Sequence, residues 1–123
     1  NGLLAIDLPG PALWLDPSTN GQPLLVCTGH TSAGLRFDCW HLHEDDLAAQ
    51  SRYLRVTYET LAEDGIVRRR ASEHRLRYLC RFELEYLLEL AGLALVDMYG
   101  DYELGPLTND SERMIAIARR KNG

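Results

Sequence analysis

The spacing of hydrophobic residues changes from a strand-like to a helical period near residue 81, and this change limits the possible folds more than any other feature. Residues 53–59 alternate with a period of two and are rich in strand-forming residues, as in a half-buried β-strand. From Phe82 to Ala91, apolar residues recur at near-helical spacing, with glutamates on the opposite side. The chain must therefore combine a β-rich part with a helix, which predicts an α+β fold.

The N-terminal run Leu3–Leu8 is almost continuously apolar and is ended by Pro9, Gly10 and Pro11. Continuous rather than alternating hydrophobicity is typical of a strand that is buried on both faces. Further strands are predicted at Pro23–Thr28, Leu35–His43, Tyr53–Glu59, Ile66–Leu79, Ala94–Tyr99 and Met114–Ala118.

Turn and cap residues predict how these segments are joined. Thr31–Gly34 and Asp64–Gly65 are the expected hairpin turns, and the acidic run Glu44–Asp46 is expected to end its strand. A helix is expected at about 81–91, with Gly92 as the residue that follows its last turn. Cys80 is a poor N-cap, so the start of this helix is expected to be frayed.

The net charge of −5 argues against partners that need a basic surface. A protein that binds nucleic acid or an anionic membrane usually carries a basic patch, and the short run Arg68–Arg70 has acidic residues close by. No apolar run approaches the roughly 20 residues that a membrane-spanning helix requires. We therefore expect no nucleic-acid partner and no membrane partner.

The N-terminus and the cysteines indicate where the protein acts. The chain begins almost inside an apolar strand, without Met and without the features of a signal peptide, which suggests a fragment or a processed chain. Its three cysteines are widely spaced and form no CxxC motif. This is not the pattern of a disulfide framework, so a reducing cytoplasm is expected.

Cys39, His41 and His43 form the candidate metal site, because alternate residues of a strand share one face and these side chains are good zinc ligands. Cys27 and His30 could join them. Alternate residues are, however, about 7 Å apart along a strand, which is too wide for adjacent ligands. We therefore expect no bound metal.

The end of the chain carries a resemblance to a known family. Residues 77–120 contain a helix that finishes in Ala-Gly, then YGDY at 99–102, a Gly-Pro turn, Asp-Ser, and Arg-Met-Ile before the last strand. This wording resembles the typical ending of class I S-adenosylmethionine-dependent methyltransferases. GLLAIDLPGP at 2–11 is similar to the fifth strand of that family, and SRYLRVTYETLAEDGIVRR at 51–69 is similar to a β-hairpin lid that some small-molecule members insert after it.

The resemblance implies a fold, a cofactor and an activity. Leu3–Leu8 would be the fifth strand, Ala94–Tyr99 the sixth, and Met114–Ala118 the seventh, lying antiparallel between them. The sheet remnant would comprise 1–8 and 80–123, and the β-rich lid insert would comprise 9–79. The fold would then be α+β, with a mostly antiparallel sheet, one main helix and an inserted β-ribbon. The parent enzyme would transfer the methyl group of S-adenosylmethionine to a small molecule by direct displacement.

The chain departs from the family at the cofactor site, which is built on a glycine-rich turn after the first strand. No Gly-x-Gly pattern occurs in these 123 residues. We therefore expect this chain alone to bind no S-adenosylmethionine and to be inactive. The alternative is a non-enzymatic α+β module that binds a small molecule or a partner protein.

Tyr99, Asp101 and Tyr102 are candidates for substrate binding, because they lie at the carboxyl end of the sixth strand, where ligands of open α/β sheets bind. A hydroxyl or carboxylate there could orient a nucleophile or accept its proton. The competing interpretation is structural, with Gly100 and Asp101 forming a turn while Tyr99 packs.

Arg77 and Tyr78 are the second pair of candidates, because they close the lid where it returns to the sheet. A structural ion pair is the competing interpretation. Asp7 could face the cleft or cap the turn at Gly10. Since Leu3–Leu8 would lack a neighbouring strand and covering helices, we also expect the chain to form a homodimer that buries Leu4 and Ile6.

Overall fold

The computed structural model describes residues 2–14 and 16–122. Its strands are β1 (Leu3–Pro9), β2 (Leu24–His30), β3 (Arg36–Asp46), β4 (Ser51–Leu61), β5 (Val67–Arg77), β6 (Leu93–Tyr99) and β7 (Arg113–Arg120). Its helices are α1 (Pro11–Trp14) and α2 (Arg81–Leu90), and a 3-10 turn spans Pro17–Thr19. The chain divides into two compact units, of which the first is Asn1–Asp16 with Tyr78–Gly123 and the second is Pro17–Arg77.

A three-stranded antiparallel sheet with the order β1-β7-β6 forms the first unit. The placement of β7 between β1 and β6 is the order that the family resemblance implies. Residues directly opposite each other in antiparallel strands project from the same face, and the pairs Leu8–Met114 and Ile6–Ala116 therefore define one face of the sheet. This face carries the core.

Helix α2 packs its apolar stripe on that face. The buried residues of the core are Leu84, Leu88, Met114, Ala116 and Ala118. Small Ala side chains on β7 let the helix approach the sheet closely, while each buried leucine stabilises the contact by roughly 1.5–3 kcal/mol. The mixed α+β composition that the spacing of hydrophobic residues predicted is confirmed.

The ends of α2 agree with the sequence to within one residue. Gly92 has the left-handed φ of 77°, and its N–H donates a hydrogen bond to the carbonyl of Glu89. At the other end, the backbone N–H of Cys80 donates to Glu83 Oε1 over 3.4 Å. Glu83 thus supplies part of the cap that the Cys80 side chain was expected to lack.

Strand β1 differs from its prediction as a strand buried on both faces. Leu3 is 70% exposed and Leu4 is 41% exposed, whereas Ile6 is half-buried and packs against the core. The reason is that, among the described residues, β1 pairs along one edge only and α2 covers one face only. The first unit therefore leaves part of the apolar surface of β1 exposed.

The second unit is a four-stranded antiparallel sheet with the order β2-β3-β4-β5. The predicted turns are confirmed, since Gly34 and Gly65 have positive φ values of 83° and 80°. The expectation that Glu44–Asp46 ends the preceding strand is wrong, because β3 continues through these residues in register with β4. Asp45 is tolerated there because Arg52, directly opposite, neutralises it.

Two further details were not predicted. The segment between β1 and β2 contains α1 and the 3-10 turn, whereas the sequence indicated only a loop. Strand β5 ends at Arg77, and Tyr78 and Leu79 return to the first unit. No helix of the described residues is long and apolar enough to cross a membrane.

Candidate functional site

The carboxyl ends of β1 and β6 lie at the same edge of the three-stranded sheet. Both strands are antiparallel to β7, so they run in the same direction. Pro9 is opposite Arg113 and Tyr99 is opposite Ile115, which brings the end of β1, the end of β6 and the start of β7 together. We call this region the carboxyl edge, and the loop 100–112 lies along it.

Asp7, Tyr102 and Arg113 form a hydrogen-bonded cluster at the carboxyl edge. The hydroxyl of Tyr102 donates to Asp7 Oδ2 over 2.6 Å. Arg113 Nη1 donates to both oxygens of Asp7, at 3.1 and 3.2 Å, and its guanidinium lies 4.5 Å from the centre of the Tyr102 ring. Asp7 is opposite Ile115 in the sheet, so the cluster occupies the face away from α2.

The electrostatics of the cluster follow from these contacts. The hydrogen bond from Tyr102 lowers the pKa of Asp7, and Arg113 lowers it further against the opposing effect of desolvation. The same hydrogen bond raises the pKa of Tyr102, because ionisation would place a phenolate beside the carboxylate. At neutral pH, Asp7 is therefore an anion and Tyr102 a neutral donor.

A cavity of about 490 Å³ opens beside this cluster. Charged and polar residues dominate its lining, which includes Asp101, Tyr102, Asp110, Ser111, Glu112 and Arg113. Three carboxylates and one guanidinium give the cavity a negative character. It therefore favours a neutral or cationic molecule over an anion.

The loop that shapes the cavity is held by its own side chains. Asp101 Oδ1 accepts hydrogen bonds from the backbone N–H groups of Glu103 and Gly105, both over 2.9 Å. Ser111 Oγ accepts one from the backbone of Thr108 over 2.8 Å. The structural interpretation of Asp101 as a turn residue thus describes its contacts, although its side chain also lines the cavity.

Tyr99, the remaining candidate of this group, lies within β6 opposite Ile115. It forms a β-bridge with Pro106, which closes the base of the loop. Desolvation and then the nearby Asp97 raise its pKa. The structural interpretation, in which Tyr99 packs, describes this position, and a role of Tyr99 in substrate binding stays a prediction.

Tyr78 lies on the opposite face of the same edge, beside a second cavity of about 180 Å³. Its ring stacks on Trp14 with a centroid distance of 4.7 Å, and the indole N–H of Trp14 donates to the carbonyl of Pro9. Pro9 and Met114 complete a largely apolar lining. Such a cavity suits a small apolar or flat group rather than a charged one.

Arg77, the other candidate of this pair, belongs to a different unit from Tyr78. It is exposed at the end of β5, opposite Ser51, and belongs to the second unit. The boundary between the two units therefore falls between these neighbouring candidates, and Tyr78 belongs to the unit that contains the carboxyl edge.

A buried polar network in the second unit was not predicted. Thr19 Oγ1 lies 2.7 Å from His43 Nε2, and His43 Nδ1 lies 3.2 Å from Asp45 Oδ1. Arg52 donates two hydrogen bonds to Asp45, at 2.7 and 2.9 Å. A backbone hydrogen bond from Gly21 to His43 reinforces the same contact. The network fastens the 3-10 turn to β3, and its burial is that of a structural element.

In the candidate metal site of Cys39, His41 and His43, the His43 side chain takes part in the buried polar network. Both ring nitrogens of His43 are engaged with Thr19 and Asp45. In the part of the chain that the structure describes, no three His, Cys, Asp or Glu side chains converge as metal ligands would. The absence of bound metal stays a prediction.

No protein-family model matches the chain, and no curated protein is significantly similar to it. The solved structures that are similar to the chain include two that match 98% of it. The CcbJ methyltransferase from Streptomyces caelestis does so with a TM-score of 0.73 and 24% identity. An S-adenosylmethionine-dependent methyltransferase from Clostridium acetobutylicum ATCC 824 does so with a TM-score of 0.75 and 11% identity. The chain has a methyltransferase-like fold.

This methyltransferase-like chain spans less than half the length of both structures, 44% and 45%. The match covers both units, so it includes the four-stranded sheet of Pro17–Arg77 as well as the three-stranded sheet. At these identities the similarity concerns the fold. The residues that act on a substrate have to be argued from the site itself.

Proposed function

We propose that the chain forms the acceptor-side portion of an S-adenosylmethionine-dependent methyltransferase that acts on a small molecule. The observation that carries the proposal is the polar cluster of Asp7, Tyr102 and Arg113 beside a cavity at the carboxyl edge of a methyltransferase-like sheet. Ligands of open α/β sheets bind outside the carboxyl ends of the strands. The second unit, Pro17–Arg77, would correspond to the lid insert that the resemblance implies.

The residues of this chain do not fit the cofactor. Among the described residues, the glycines with positive φ are Gly21, Gly34, Gly65 and Gly92, and none belongs to a Gly-x-Gly turn between a strand and a helix. The cofactor would supply the methyl group from another part of a longer enzyme. What this chain would contribute is binding and orientation of the acceptor.

Asp7 and Tyr102 would orient the acceptor. Each carboxylate oxygen can accept about two hydrogen bonds, so Asp7 retains acceptor capacity beyond Tyr102 and Arg113. An N–H or O–H group of the acceptor would donate to Asp7, which fixes the direction of the lone pair that attacks the methyl carbon. The negative cavity would favour an acceptor that is neutral or carries a positive charge elsewhere.

The test uses the longer protein encoded by the reading frame that contains this chain. That protein is incubated with S-adenosylmethionine and a panel of small amines and alcohols, and methylated products are detected by mass spectrometry. We expect Asp7→Asn and Tyr102→Phe to lower kcat/KM by about tenfold or more, as expected for a lost charged hydrogen bond. Tyr86→Phe, on the exposed side of α2, is the matched control and should leave kcat/KM unchanged.

Two results would contradict the proposal. One is a reading frame that encodes no glycine-rich cofactor turn together with a product that binds no S-adenosylmethionine. The other is full activity of both variants, which would place the acceptor elsewhere. The first result would favour the alternative of a non-enzymatic binding module.

A further inference from the structure

Two of the three cysteines lie directly opposite each other in the second unit. Cys27 on β2 is the register partner of Cys39 on β3, immediately after an irregularity between Leu25 and Cys27. Register partners in an antiparallel pair have Cα atoms about 4.5–5.5 Å apart, and their side chains share a face. A disulfide needs a Cα separation of about 4.4–6.8 Å, which this pairing provides.

Strand β2 can move enough for a disulfide to form between Cys27 and Cys39. Opposed Cβ atoms in a sheet are about 4.5–5.5 Å apart, whereas those of a disulfide are about 3.5–4.5 Å apart, so a small approach is needed. Strand β2 is an edge strand whose residues are mostly exposed. It pairs with β3 alone among the described strands, and can therefore shift by such an amount at low cost.

We propose that Cys27 and Cys39 are a site of thiol oxidation that forms an intramolecular disulfide on reaction with a low-molecular-weight disulfide. Cys27 is exposed and Cys39 is 2% exposed, so the reagent meets Cys27 first. The Cys27 thiolate attacks the reagent, forms a mixed disulfide and releases one thiol. Cys39 then loses its proton to solvent and attacks Cys27 Sγ, which releases the second thiol. One reagent disulfide is reduced to two thiols for each protein disulfide formed.

The proposed oxidation does not rest on methyl transfer, because Cys27 and Cys39 belong to the second unit, whereas Asp7, Tyr102 and Arg113 belong to the first. Its consequence is mechanical, since the new bond would fasten β2 to β3 and restrict the unfolded chain. Desolvation, followed by the hydrogen bond with Cys39, raises the pKa of the Cys27 thiol. The reaction should therefore accelerate as the pH is raised above neutrality, because the thiolate is the attacking form.

The experiment treats the reduced protein with glutathione disulfide and follows its intact mass. We expect Cys80→Ser to lose about 2 Da, the mass of two hydrogens, when the disulfide forms. Wild type should lose the same mass, apart from any glutathione that is bound to Cys80. Trypsin cleaves after Arg36, the only basic cleavage site between the two cysteines, so peptides 1–36 and 37–52 should be recovered as a linked pair. Cys27→Ser should give no linked pair, and Cys39→Ser should trap glutathione on Cys27.

The melting temperature distinguishes the Cys27–Cys39 disulfide from incidental oxidation of a thiol. The oxidised wild type should melt at a higher temperature than the reduced form, and Cys27→Ser should show no such difference. The proposal is overturned if Cys27 keeps a stable glutathione adduct in Cys80→Ser. It is also overturned if the linked pair forms equally fast in urea, since the fold then does not set the pairing.

Discussion

The hydroxyl of Tyr102 donates a 2.6 Å hydrogen bond to Oδ2 of Asp7, although 95 positions separate the two residues in the chain. Asp7 lies two residues before the end of β1, and Tyr102 follows β6 in the loop of the carboxyl edge. The contact exists because β7 lies between the two strands and aligns their carboxyl ends. It joins the N-terminal strand to the YGDY segment at 99–102.

Removing the Tyr102 hydroxyl tests this contact in the chain itself. Since the hydrogen bond from Tyr102 is the main cause of the lowered pKa of Asp7, Tyr102→Phe should raise that pKa towards its ordinary value. The measurement is an NMR titration of the Asp7 carboxyl carbon. Tyr86→Phe serves as the control, and an unchanged pKa in Tyr102→Phe would contradict the structure.

The four-stranded sheet should be sensitive to acid through Asp45. The hydrogen bond from Arg52 is the largest cause of the lowered pKa of Asp45, and the side chains of both residues are close to 10% exposed. A lowered pKa in the folded state means that the stabilisation is present above the ordinary pKa of about 3.9 and is lost as the pH falls through the folded value. Urea unfolding at pH 7 and pH 3 should show this loss.

Asp45→Asn should lower the free energy of unfolding at pH 7 by about 2–3 kcal/mol, because it removes the buried carboxylate that accepts two hydrogen bonds from Arg52. It should also flatten the acid dependence. The matched control is Glu59→Gln, which breaks the exposed ion pair with Arg69 and should cost less than about 1 kcal/mol. Equal effects of the two substitutions would show that Asp45 is not the buried partner described here.

Gly100 should tolerate no side chain. A Cβ at this position would collide with Ser111 Oγ and lie 2.7 Å from the carbonyl oxygen of Pro106, a backbone atom that cannot rotate away. Gly100→Ala should therefore destabilise the chain by about 1–3 kcal/mol, measured by thermal or urea unfolding. Gly2→Ala, where nothing lies within 4 Å, is the control and should be neutral.

We propose that the isolated chain self-associates through β1. Leu3 and Leu4 are exposed, and the outer edge of β1 has no partner strand among the described residues. Light scattering at high micromolar concentration should give twice the mass of one chain, and Leu4→Lys should shift it to the monomer. Leu47→Lys, which charges an exposed leucine in the other unit, should not. A monomeric wild type would contradict the proposal.

Local sequence signals predicted the elements that depend on local physics. The bounds of α2 and the positive φ values at Gly34, Gly65 and Gly92 follow from helical periodicity and from the conformational freedom of glycine. The run Glu44–Asp46 was misassigned, because its acidity alone opposes a strand. The arginine that neutralises Asp45 lies seven residues away on β4 and is brought opposite only by the hairpin.

In the candidate site, too, local sequence predicted some features and only the tertiary structure decided others. The sequence by itself determined that polar residues at 99–102 follow a strand, because turn chemistry and the period-two pattern are read over a few neighbouring residues. Only the tertiary structure decided that Tyr102 meets Asp7, that Tyr99 and Asp101 serve the loop, and that Tyr78 stacks on Trp14 while Arg77 does not. The tertiary structure likewise decided two further contacts, Cys27 opposite Cys39 and Thr19 against His43. Their pairing depends on strand order and register, which arise from burial summed over the whole sheet.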